Sequence, residues 1–156
     1  MDLLERNVQI EELSRSLRDA RAGAGKVALV SGEAGAGKSA LVEEFTQRAS
    51  GGTRILWGHC DALQTSRVLG PVSEVAAGLS SLPDPPRAQT VSREMLFPWL
   101  MERLSPPNPP AIMILEDLHW ADEATLDFVR FIGRRIQRTR CLLIATYRDD
   151  EVAPAH

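Results

Sequence analysis

Apolar residues along the chain recur in two alternating patterns. In residues 7–21, Val8, Ile10, Leu13, Leu17 and Ala20 stand at helical spacing. Glutamates come early and arginines late there, as the helix dipole favours, and Gly23 and Gly25 close the segment. Residues 26–30 are a short apolar run without alternation, the signature of a parallel strand covered on both faces. A second helix is predicted from Lys38, turning Leu41, Val42 and Phe45 inward and stopping at Gly51 and Gly52. Residues 54–57 form the next strand and 71–82 a helix with Pro71 in its first turn. An amphipathic segment follows at 91–104, which Pro98 should kink. Residues 111–115 are a third buried strand. A helix over 122–138 buries Leu126, Val129, Ile132 and Ile136, and residues 141–146 are a fourth strand.

Strand and helix therefore alternate, and the strands are continuous rather than alternating in polarity. That combination implies an α/β fold, a doubly wound parallel sheet between helical layers, with ligands beyond the carboxyl ends of the strands. Eight of the ten prolines fall between residues 83 and 110, marking a surface excursion.

Composition narrows the field. At 156 residues, one compact domain is expected over 1–156, with its core at 26–148. No apolar run approaches the roughly 20 residues needed to cross a bilayer, and the charged start lacks the plan of a secretory signal, so a cytoplasmic chain without a membrane role is expected. A net charge of −3 argues against direct nucleic-acid binding by this segment. Arg134, Arg135, Arg138 and Arg140 form the one basic cluster. It reads either as charge at a helix C-terminus or as a phosphate-contact patch. Cys60 and Cys141 lack metal-ligand spacing and read as reduced, packed thiols.

The chemistry begins at residues 32–39, Gly-Glu-Ala-Gly-Ala-Gly-Lys-Ser, a complete match to G-x-x-x-x-G-K-[ST] between a predicted strand and a predicted helix. Gly32, Glu33, Ala34, Gly35, Ala36 and Gly37 supply a loop whose backbone N–H groups converge on phosphate oxygens, and Ala40 continues it into the helix. Lys38 brings a full charge to the terminal phosphates, and the Ser39 hydroxyl is a hard oxygen suited to magnesium. ATP or ADP with Mg²⁺ is the expected ligand. Glu33 is expected to turn its charge to solvent. The strand at 111–115 then delivers Glu116 and Asp117 to the same sheet edge, where one carboxylate can serve magnesium and the other can orient water. A further strand between the two motifs separates the chain from the shorter nucleotide kinases.

The run Leu-Glu-Asp-Leu-His-Trp-Ala-Asp at 115–122 resembles the second motif of the ATPase domain of large LuxR-type transcriptional regulators and related AAA-like signal-transduction ATPases. So do residues 30–42, 56–61 and 145–151, and the likeness spans nearly the whole chain. Leu4-Glu5-Arg6 resembles the family's opening Val-Gly-Arg-Glu, which lies near the adenine, with Glu5 in place of glycine. The resemblance implies a three-layer P-loop NTPase with strand order 5-1-4-3-2. It also implies a slow nucleotide switch and further helical, repeat and helix-turn-helix domains in the parent protein. In that family the first acid sits at the magnesium position and the second at the water position; here the order is Glu then Asp, which leaves either assignment open. The resemblance makes Arg148 a γ-phosphate sensor, the other reading being an ion pair with Asp149 or Asp150. Asp122 reads as a helix N-cap or as a further catalytic acid, and His119 and Trp120 read as packing and positioning groups. The segment ending at His156 reads as a piece of a longer protein without its fifth strand. The 26–30 strand would then be an edge, free to self-associate unless residues after Tyr147 fold over it. A small-molecule kinase and a nucleotide-binding scaffold without turnover remain as alternatives.

Overall fold

The computed structural model describes residues 3–32, 37–49, 51–60, 68–79 and 93–148. Helix α1 (Leu3–Arg21) leads into β1 (Lys26–Ser31), α2 (Lys38–Arg48), β2 (Arg54–His59), α3 (Gly70–Leu79) and α4 (Arg93–Leu104). The chain continues with β3 (Ala111–Glu116), a 3-10 turn (Leu118–Trp120), α5 (Glu123–Arg135), a second 3-10 turn (Ile136–Arg138) and β4 (Cys141–Tyr147). All four strands pair in parallel, in the order β1-β4-β3-β2. This is the predicted α/β architecture, with β1 to β4 in the predicted order.

The central strands explain the three layers. Along β3, Ala111, Met113 and Leu115 pack with α3, α4 and α5, while Ile112 and Ile114 pack with α1 and α2. In β4, Cys141 and Leu143 face the first group, and Leu142 and Ile144 the second. Both faces are dry, so neither strand needs a polar position, and this is why their sequences read as unbroken apolar runs.

β1 departs from that expectation. Val30 is buried against α1 and α2, but Val27 is 41% and Leu29 62% exposed. Among the described residues β1 is an edge, and the helices over the opposite face reach only β2, β3 and β4. A groove between α1 and this edge is lined by Gln9, Leu13, Ser16, Ala28 and Val30.

Other boundaries shift for local reasons. α1 begins at Leu3 rather than residue 7, in a first turn where Leu4 is exposed and no apolar period betrays the helix. Val8 is also exposed, because the buried stripe is Ile10, Leu13, Leu17 and Ala20. β2 runs on to His59 through Gly58, which reads as a breaker but packs under Pro71. Pro98 lies inside α4 without ending it. In α5 Ile132 is fully buried as expected and so is Phe128, edge-on to Phe97 at 5.2 Å, whereas Leu126 and Val129 are half-buried. The helix tightens to 3-10 geometry at Ile136–Arg138, and Arg134 and Arg135 occupy its last turn.

The amino end of the sheet is stitched by arginines. Arg21 donates to Ala49 O at 3.2 Å and Thr53 Oγ1 at 2.9 Å. Arg54 donates to Arg103 O at 3.0 Å and to Pro109 O. Arg140 donates to Arg21 O and Asn108 O, both at 3.1 Å. Each guanidinium satisfies carbonyls that helix ends and loops leave unpaired. Among the described residues no helix is long and apolar enough to cross a membrane.

Candidate functional site

β1 and α2 place the two ends of the glycine loop. Gly32 and residues 37–39 are described; Glu33, Ala34, Gly35 and Ala36 lie outside the described residues. Gly37 has φ +84°, a left-handed conformation that glycine adopts without penalty, and its carbonyl accepts the first α2 hydrogen bond from Leu41 at 2.9 Å. Lys38 is buried to 8% exposure and donates from Nζ to Gly32 O at 2.9 Å, so its charge is drawn back over the loop. Ser39 and Ala40, in the first turn of α2, are exposed. Arg6 of α1 arrives from the other side, its Nη2 being 3.6 Å from where a Cβ on Gly37 would stand.

Glu116 ends β3 with its side chain 14% exposed. The Ser39 side chain interacts with its carboxylate and lowers its pKa, so the phosphate-loop helix and the acidic strand come together here. Burial pushes the Glu116 carboxyl above its ordinary value; His59 and Ser39 pull it down, and Asp117 and Glu43 push it up again. A raised folded value means that the buried carboxylate costs stability once ionised. Glu116→Gln is therefore expected to raise the melting temperature of the nucleotide-free chain at neutral pH. The gain should disappear below the ordinary value of 4.5, where the group is protonated whether folded or not. Thermal melts from pH 4 to 8 check this, and an unchanged or lower midpoint at pH 7 would contradict it.

Asp117 stands one residue on with φ 58° and ψ 49°, the left-handed region. Aspartate is among the few non-glycine residues that tolerate it, which gives a backbone reason for the short acid to come second. Its N–H donates to Thr146 Oγ1 at 3.0 Å, and Thr146 is buried near the end of β4. Asp122 caps α5: its carboxylate accepts from Thr125 N and from Leu69 N, each at 3.2 Å, and from the Thr125 hydroxyl. Arg148 follows β4, and its backbone N–H donates to His119 Nδ1 at 3.2 Å. The His119 and Trp120 rings are tilted at 5.3 Å, with Trp120 47% exposed. Asp149 and Asp150 lie outside the described residues.

Three side chains escaped the sequence reading. Thr146 is one. The other two are His59, at the end of β2, and Glu74, on α3, whose carboxylate accepts from His59 N and pairs with its Nδ1, each at 3.1 Å. They are fifteen residues apart on different elements, and only the strand register brings His59 beside Glu116. Cys60 and Cys141 are free and buried. Burial, then the nearby Asp122, Asp117 and Glu74, push the Cys60 thiol up to about 12, too high for a nucleophile at neutral pH.

Phosphate-loop ends, acidic pair and Arg148 thus gather at the carboxyl edge of one parallel sheet. The chain matches the family model of the AAA ATPase domain over residues 2–144. It belongs to that family. The family assignment supports nucleotide binding. Among solved structures, Cdc6p from Pyrobaculum aerophilum is similar, at 20% identity and a TM-score of 0.67, covering 99% of this chain and 42% of that one. A chain of Drosophila ORC bound to DNA is similar at 13% identity and a TM-score of 0.62, covering 92% and 38%. At these identities the likeness concerns the fold, and the chain spans less than half the length of either structure. No curated protein matches it.

The residues present suit the ligand of an AAA ATPase. Magnesium bound with a nucleotide takes hard oxygens from one or two protein groups and the rest from phosphates and water, and Ser39 beside Glu116 is such a pair. Among the described residues no group of three or more His, Cys, Asp and Glu forms a larger metal cluster.

Proposed function

We propose that this AAA ATPase domain is the ATP- and magnesium-binding core of a slow nucleotide switch, of the kind found in large LuxR-type regulators. The observation that carries it is the meeting of Ser39 and Glu116 beside Lys38, which joins the phosphate loop to the acidic strand in one polar cluster. In this reading residues 32–40 hold the phosphates, with Lys38 leaving Gly32 O for the terminal phosphate oxygens. Ser39 and Glu116 hold the cation, which when bound neutralises phosphate charge. Asp117, fixed by Thr146, orients water, and Arg148 senses the γ-phosphate. Burial of Glu116 and its contact with Ser39 favour it over Asp117 as the cation acid. The LuxR-type context rests on the motif runs at 30–42, 115–122 and 145–151. It carries with it the helical, repeat and helix-turn-helix domains of a parent protein, and a cytoplasmic setting.

Calorimetry and a turnover assay test the reading together. ATP and ADP with magnesium should both bind, while hydrolysis by this chain should fall well below the roughly 1–1000 per second of ordinary enzymes. Turnover in the ordinary range, abolished by Asp117→Asn, would refute the slow switch. Phosphate transfer to a small-molecule acceptor would favour the kinase reading, and binding with no hydrolysis at all the scaffold.

Self-association belongs to the same proposal. Among the described residues β1 has no strand on its outer side, Val27 and Leu29 are exposed, and it carries no proline and only Lys26 as charge. A second copy pairing there would cover both. Sedimentation should show mass rising with concentration; a chain that stays monomeric at high concentration, with fast amide exchange along β1, would dismiss it.

A further inference from the structure

A polar chain runs from α3 into the site. Its foundation is steric. A Cβ on Gly58 would stand 2.7 Å from Pro71 O and 2.9 Å from Leu115 Cδ2, so only glycine lets the first turn of α3 lie this close to β2. One turn further along α3, Glu74 takes hold of His59 twice, at its backbone N–H and at Nδ1. With Nδ1 so engaged, the other ring nitrogen, Nε2, is turned to Glu116 Oε2 at 3.5 Å. The register makes His59 and Glu116 direct neighbours across β2 and β3. Trp57, two residues back, stacks along the imidazole at 6.1 Å with 9° between planes. Glu116 in turn interacts with Ser39. The sequence of contacts is Glu74, His59, Glu116, Ser39.

We propose that Glu74, acting through His59, is a positioning residue for Glu116, fixing the carboxylate in the orientation in which it serves the nucleotide-bound cation. The proposal rests on the phosphate-loop reading given above. The His59 side chain is 54% exposed and that of Glu74 40%, so their pair adds little to stability. Glu74 thus holds His59 both at its backbone N–H and at the ring, which fixes where the half-exposed imidazole turns its other nitrogen. Orientation of a ligand is what such an outer partner does: it restricts the carboxylate to a fraction of its rotamers, and removing partners of this kind typically weakens metal binding about 10–100-fold. Solvent exposure puts the expected effect here at the lower end.

The test is calorimetric, with Mg²⁺ titrated into the ADP-saturated chain and ADP titrated separately in EDTA. His59→Ala and Glu74→Ala should each weaken Mg²⁺ roughly tenfold, and the double variant should be no worse than His59→Ala alone, since one acts through the other. His59→Gln, which keeps a donor near Oε2, should recover part of the loss. ADP affinity in EDTA and the melting temperature should match wild type. Wild-type Mg²⁺ affinity in both single variants, additive losses in the double, or an equal loss of ADP in EDTA would each overturn the proposal. Nucleotide binding indifferent to Lys38→Ala would overturn the phosphate-loop reading and this role with it. Binding that needs Lys38 and magnesium but ignores His59 and Glu74 would overturn this role alone.

Discussion

Replacing Lys38 by alanine is expected to weaken ATP binding by roughly one to two orders of magnitude, a hydrogen bond to a charged group being worth about 1.5–3 kcal/mol. ADP should suffer less, because in the proposed reading the charge moves to the terminal phosphates. The geometry supports a binding effect over a folding effect. Lys38 Nζ donates to Gly32 O within the loop, while the apolar buried face of α2 is carried by Leu41, Val42 and Phe45. The variant should thus melt within a few degrees of wild type and still fail to hold ATP. Calorimetry on both proteins checks it: equal affinities would show that nucleotide binds elsewhere.

The second large effect lies at the opposite end of the sheet. A Cβ on Gly25 would fall well inside contact distance of Ile136 O, 2.5 Å from Thr139 Oγ1 and 2.9 Å from Cys141 O. Two of the three obstacles are backbone atoms, and the third is fixed by its own bonds. The Thr139 hydroxyl donates to Ile136 O at 2.7 Å and accepts from Cys141 N at 3.1 Å, forming the turn into β4. Nothing there can rotate away, so the chain entering β1 must shift. Gly25→Ala should cost about 3 kcal/mol or more, at the upper end of overpacking effects, and lower the melting temperature by roughly 6–12 °C. Urea unfolding with an unchanged slope and a lower midpoint is the expected record; a loss under 1 kcal/mol would mean that the turn yields.

What was legible in the sequence divides along physical lines. β3 and β4 announce themselves because both faces are dry, and the Gly-x-x-x-x-Gly-Lys-Ser and Glu-Asp runs because their chemistry is local. β1 reads like the central strands, yet Leu29 is exposed: an apolar run records that a strand can be covered, not what covers it. His59 and Glu74 were silent because each is an ordinary polar residue until the β2–β3 register and the gap at Gly58 bring them together. Thr146 is likewise one more polar letter at a strand end until Asp117 N–H is seen to donate to it. The left-handed backbone of Asp117 has no signature beyond the choice of aspartate itself.

The arginine stitching at the amino end of the sheet has a bearing on how such a domain can change over evolutionary time. Arg21, Arg54 and Arg140 tie strand starts to helix ends on the side away from the phosphate loop. In the proposed reading, substitutions at Ser39, His59, Glu74, Glu116 or Asp117 fall on the other edge of the sheet from this stitching. On that reading, a lineage can retune its nucleotide site one residue at a time while the arginine-tied edge keeps its own contacts.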